Sequence, residues 1–90
     1  MGLVWEIMWD PRAEKNLKKL DHAAQKRILQ YLETRIATNQ DPRRFGEALL
    51  GDKKGLWKYR VETYRMVCRI DDEAITVLVI DVGHRKNVYH

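Results

Sequence analysis

The sequence holds a single cysteine, Cys68. One thiol cannot close an internal disulfide, and its use suits a reducing compartment. Three histidines and that cysteine are too few and too scattered for a zinc motif. There is no Gly-rich phosphate loop, no GxSxG elbow and no HExxH helix. No apolar run approaches the length of a membrane helix, and the opening Met1-Gly2-Leu3-Val4-Trp5-Glu6 does not read as a signal peptide. The expectation is a cytoplasmic domain with no membrane contact and no cofactor or metal. Its chemistry then falls to Lys, Arg, Tyr, His and carboxylate side chains.

What is present fits one domain spanning residues 1–90. With 44% hydrophobic and 33% charged residues, the chain is globular rather than disordered. A chain of 90 residues buries a modest core and can fold alone. The net charge of +4 favours acidic partners, and clustering of that charge carries more weight than its total.

The run Leu3–Trp9 alternates in β fashion and is the first expected strand. Asp10-Pro11 ends it and starts a helix, since Asp suits the N-cap and Pro the first helical position. Ala13, Leu17 and Leu20 form its apolar stripe, and Arg12, Lys15, Lys18 and Lys19 a solvated basic face. Asp21 caps a second helix with Ala24, Ile28, Leu32 and Ile36 inward, running to about Thr38. The two helices read as a hairpin packed on a sheet. Asp41-Pro42 starts one or two helical turns over Arg43 to Leu50, stopped by Gly51. The loop Asp52-Lys53-Lys54-Gly55 follows.

The last third, from Gly55 to His90, organises the rest. Leu56–Val61 puts Lys58 and Arg60 on one side, with Trp57, Tyr59 and Val61 on the other. Tyr64–Ile70 puts Arg65 and Arg69 on one side, with Tyr64, Met66, Cys68 and Ile70 on the other. Glu62-Thr63 turns the first hairpin and Asp71-Asp72-Glu73 the second. Paired as a hairpin, these strands bring four cations to one side. Ala74–Val82 is apolar almost throughout, as in a strand that is central or covered on both faces, and Gly83 ends it. Arg85, Lys86 and Tyr89 come next. Converging cations repel one another, so the face is a candidate anion site, with RNA phosphate the anion.

Three blocks carry a family likeness: WKYRV at 57–61, YRMVCRI at 64–70 and GHRKNVY at 83–89, preceded by Gly46-Glu47-Ala48-Leu49-Leu50-Gly51. In this order they resemble the RelE/ParE toxin superfamily, and its RelE branch most. The resemblance implies an α+β fold of β-α-α-β-β-β order, a mainly antiparallel twisted sheet against a helical hairpin. It implies the toxin of a type II toxin–antitoxin pair, an endoribonuclease that enters the ribosomal A site and cuts mRNA without metal. The ribose 2′-hydroxyl attacks the adjacent phosphate and the 5′-oxygen leaves. The partners implied are a cognate antitoxin, in a toxin–antitoxin hetero-oligomer, and the ribosome with its mRNA.

By the same resemblance, Lys58 matches a basic residue that activates the 2′-hydroxyl, and Arg60 a neighbouring position where the family's type member has lysine. Arg65 matches the arginine holding the scissile phosphate. Arg85 matches one that neutralises it and assists the leaving oxygen, and Tyr89 a tyrosine that orients or stacks on the nucleotide. Arg60 stays charged and cannot be a base. His84 is a candidate general acid or base, and Lys53, Lys54 and Lys86 are candidate RNA contacts. The chain stops at His90, where relatives often carry a further helix.

Such cleavage needs a base, an acid and cations around a doubly charged phosphorane. Acid–base help is worth about 10²–10⁴ in rate, and fixed charges often contribute more. Blander readings stand beside these. Lys58 and Arg60 also suit an ordinary exposed sheet face. Arg65 and Arg69 could pair with Asp71, Asp72 or Asp81. Tyr59 and Tyr64 suit packing, Cys68 the core, and His84 and His90 a solvated tail. A competing function on the same fold is a ParE-like inhibitor of DNA gyrase that binds and cuts nothing.

Overall fold

The computed structural model describes residues 3–84. Strand β1 (Glu6–Trp9) leads into helices α1 (Pro11–Lys18) and α2 (His22–Tyr31). A π-helical turn (Leu32–Ile36) and a 3-10 turn (Pro42–Phe45) lead to a short strand β2 (Glu47–Ala48). A second 3-10 turn (Gly51–Lys53) precedes β3 (Leu56–Val61), β4 (Tyr64–Asp71) and β5 (Thr76–His84). The sheet order is β1-β5-β4-β3-β2, with β1 parallel to β5 and the other pairs antiparallel. This is the expected α+β class, with one more strand than the β-α-α-β-β-β order.

Both helices start where their caps dictate. The Asp10 carboxylate accepts from Arg12 N at 2.9 Å, and Asp21 accepts from Ala24 N at 2.7 Å. The α-helical part of α2 ends at Tyr31, short of Thr38. The next turn widens, with Ala37 N donating to Leu32 O at 2.7 Å. That turn still keeps both Leu32 and Ile36 buried, so the expected apolar stripe holds to its end.

The helices cover one side of the sheet only. Ala13, Leu17, Ile28, Leu32 and Ile36 pack there against Tyr59, Met66, Cys68, Val77, Val79 and Val82. Register explains the set: Tyr59, Met66 and Val82 are cross-strand partners, as are Trp57, Cys68 and Val79. A bulge between Val67 and Cys68 shifts the β4–β5 register. Beyond it the Asp81 carboxylate, 7% exposed, accepts from Asn16 Nδ2 at 2.9 Å and so ties β5 to α1.

Three boundaries differ from expectation. The first strand is Glu6–Trp9 rather than Leu3–Trp9, because β5 offers partners only from Thr76 onward. The last strand starts at Thr76, not Ala74. Asp71 Oδ1 accepts from Glu73 N and Ala74 N, and Ile75 sits at φ 48°, so the turn consumes those residues. It also continues past Gly83 to His84, which pairs with Tyr64. β5 is nevertheless central, between β1 and β4, as its apolar run suggests.

The largest correction lies at Arg43–Leu50. Only Pro42–Phe45 is helical, and Glu47–Ala48 is an edge strand on β3. Gly46 is extended and lies against the Tyr59 ring, where an added Cβ would stand 3.0 Å from Cε1 and Cζ. Gly51 takes φ 68° at the head of the following turn instead of stopping a helix.

Candidate functional site

The sheet face away from the helices carries the cations. Arg60 on β3 stands directly opposite Arg65 on β4, and Arg65 stands opposite Gly83 on β5. Glycine leaves the space beside Arg65 free of a side chain. Lys58 lies one alternation back from Arg60 on the same face, opposite Val67. Directly opposed like charges destabilise a strand pair. Arg69 is two positions further along, in a row with Leu56 and Leu78.

Three acids near the arginines are used elsewhere. Asp71 caps its own turn. Asp72 takes a two-pronged grip from Arg43, at 3.0 and 2.6 Å. That pairing holds the Asp72 carboxyl below its usual range. Asp81 accepts from Asn16 and Val82 N, with the Arg12 guanidinium 4.0 Å away. Among the described residues Arg60, Arg65 and Arg69 therefore have no salt-bridge partner. The Nε of Arg65 is buried and makes no hydrogen bond among the described residues. Such an orphan donor is rare in a folded chain and calls for an explanation.

Beside the cations an acid does reach the face, and pattern reasoning missed it. Glu47 on β2 is the cross-strand partner of Lys58, with Oε2 3.5 Å from Nζ. The Glu47 side chain is 68% exposed and that of Lys58 22%. Two proton-handling groups thus sit side by side, where Arg60 supplies none. The only signal available was the Gly46 break, which argues against a helix through 47.

The remaining candidates fall in different places. His84 shares the pleat of Tyr64, its ring edge-on at 5.8 Å, on the side opposite Arg65 and Gly83. Lys53 and Lys54 stand on the loop that enters β3 at Leu56. Arg60 is four residues along, roughly 13 Å at the usual strand rise. Arg85, Lys86, Tyr89 and His90 lie outside the described residues. Among the described residues no group of His, Cys, Asp and Glu could hold a metal ion.

Several residues weighed for function are packing residues. Tyr59 is fully buried and its hydroxyl donates to Pro42 O at 2.8 Å. Burial raises its phenol well above the ordinary range. Burial also pushes the Cys68 thiol up to about 12, which makes it a core residue rather than a nucleophile. A groove of about 390 Å³ runs between α2 and β3, lined by Arg27, Tyr31, Arg35 and Arg60 among others. Arg27 is already paired with Glu62 there at 2.8 Å.

These features define a class: a small α+β domain with helices on one side of its sheet and uncompensated arginines on the other. Residues 7–89 match the family described as the ParE toxin of the type II toxin–antitoxin system parDE. The chain belongs to the RelE/ParE superfamily of type II toxins. It is 39% identical over 51 residues to toxin RelG of Mycobacterium tuberculosis, a match covering 57% of this chain and 59% of RelG. The chain thus spans under two thirds of that curated relative. The fold superposes on a chain of the RelBE2 toxin–antitoxin complex of M. tuberculosis with a TM-score of 0.85. That match has 27% identity and covers 94% of this chain and 95% of the other. The isolated RelE toxin of E. coli gives a TM-score of 0.62 at 27% identity, covering 94% and 90% of the two chains. No helix is long and apolar enough to cross a membrane among the described residues.

Proposed function

We propose that this toxin is a ribosome-dependent mRNA endonuclease that works on the open sheet face. The observation that supports it most is the Arg60–Arg65 pair, opposed across β3 and β4, with Lys58 on the same face and, among the described residues, no carboxylate on either arginine. A fold keeps such a pair against its repulsion when an anion is to bind there. Two planar guanidinium groups suit a phosphate whose charge grows in the transition state.

In the reaction the ribose 2′-oxygen attacks phosphorus and the bond to the 5′-oxygen breaks. The products are a 2′,3′-cyclic phosphate and a 5′-hydroxyl. Arg65 and Arg60 hold the non-bridging oxygens. The Lys58–Glu47 pair takes the 2′-hydroxyl proton. Arg85 and Tyr89, carried over from the family resemblance, serve the leaving oxygen and the nucleotide. Lys53, Lys54 and Lys86 extend the contact with RNA backbone. The leaving 5′-oxygen takes its proton from water or from His84, the latter less well placed because it shares a pleat with Tyr64 rather than Arg65.

A cognate antitoxin is the second partner in this proposal. The matched M. tuberculosis chain comes from a toxin–antitoxin complex, and so does that of an archaeal relative from Pyrococcus horikoshii. An acidic antitoxin segment over Arg60, Arg65 and Arg69 would exclude RNA phosphate directly.

The test is induced expression followed by mapping of mRNA 5′ ends on translating ribosomes. Cuts within codons, absent for Arg65→Ala, are the expected result. Altered plasmid supercoiling with intact mRNA would refute the ribonuclease and favour gyrase inhibition.

A further inference from the structure

The two-residue strand β2 carries Glu47 to Lys58 but is too short to hold itself. Beyond its pairing with β3, Leu49 N donates to Leu56 O at 2.9 Å. Its position is set by where the preceding turn releases it. That turn is fastened at both ends to one side chain. The Tyr59 hydroxyl donates to Pro42 O at 2.8 Å, and the ring packs against Gly46, where an added Cβ would stand 3.0 Å from Cε1 and Cζ. Within the turn, Asp41 accepts from Arg43 N at 3.0 Å and Gly46 N donates to Arg43 O at 3.1 Å. Tyr59 is also the neighbour of Lys58 along β3, on the opposite pleat.

We propose that Tyr59 is a positioning residue for the Lys58–Glu47 pair, acting through the turn from Pro42 to Gly46. One strand then presents Lys58 on its open side and seats its partner's strand from its buried side. Tyr59 is fully buried and touches no RNA, so its effect passes through Glu47. The proposal rests on the ribonuclease reading for its catalytic consequence, but not for its structural one.

The test uses Tyr59→Phe, which keeps the ring and removes only the hydroxyl, with Gly46→Ala as a second variant that presses on the ring. Amide hydrogen exchange should quicken about tenfold or more at Leu49, and stay unchanged along β4, because only the edge strand is released. Cleavage by Tyr59→Phe should fall about tenfold in kcat with KM for RNA unchanged, as expected for a misplaced group that does not bind substrate. In a Glu47→Ala background, Tyr59→Phe should cost nothing more. Unchanged exchange at Leu49 in both variants would overturn the proposal. So would an equal loss of kcat with and without Glu47. A wild-type protein that cuts no mRNA sinks the ribonuclease reading alone, and the exchange measurement then decides this one.

Discussion

Replacing Arg65 by methionine should make the protein more stable and less toxic at once. The wild-type residue carries two burdens. It faces Arg60 across the β3–β4 pair, and its buried Nε has no acceptor. The first is destabilising. The second costs about 1–3 kcal/mol. Methionine keeps most of the apolar stem, so packing over the sheet is largely retained. A net gain of at least about 1 kcal/mol follows, which for a domain of this size raises Tm by about 4–8 °C. In cleavage the same substitution removes a fixed charge aimed at the phosphate, worth about 10²–10³ in rate. Thermal denaturation and cleavage on ribosomes read the two effects separately. Arg69→Met is the control: that side chain is exposed and has no orphan donor, so stability should move within about 0.5 kcal/mol and activity should persist. A destabilised Arg65→Met protein, or a fully active one, would refute the reasoning.

Other substitutions test other levels. Ile28→Ala empties the centre of the core from a fully buried position and should cost about 2–5 kcal/mol in urea denaturation. Asp21→Ala removes the 2.7 Å acceptor for Ala24 N and should cost about 1 kcal/mol by the same measurement. Stability should also fall in alkali. The unfolded Cys68 thiol ionises near the ordinary thiol value of 9.0, while burial holds the folded one to about 12. The unfolded state therefore loses its proton first, and stability drops as pH rises from about 9 toward 12. Denaturation midpoints across that range should fall less steeply for Cys68→Ala, and native Cys68 should resist alkylation that the unfolded chain accepts.

Much of this fold was legible because its signals are local. Asp10-Pro11 and Asp21 cap helices at the expected residues, and both cap bonds form. The alternation in β3 and β4 sorted core from open side correctly, since a pleat has only two sides. What alternation cannot supply is the strand opposite. It left open whether Arg65 would meet Asp81, and the answer came from Asn16, 65 residues away, taking that carboxylate first. It likewise missed β2, because two residues are too few to show a period. The only clue was Gly46, and its extended backbone depends on a tyrosine 13 positions later in the chain.

The same reasoning says why the cations matter more than their number. A net charge of +4 could be scattered harmlessly over a surface this size. Here each nearby acid is committed by a specific local bond: Asp71 to its turn, Asp72 to Arg43, Asp81 to α1. Glu47 does face the site, and it meets Lys58 rather than an arginine. Among the described residues the fold thereby divides its open side into three arginines without salt-bridge partners and one lysine with an acid beside it. Phosphate binding needs the first arrangement, and proton transfer needs the second.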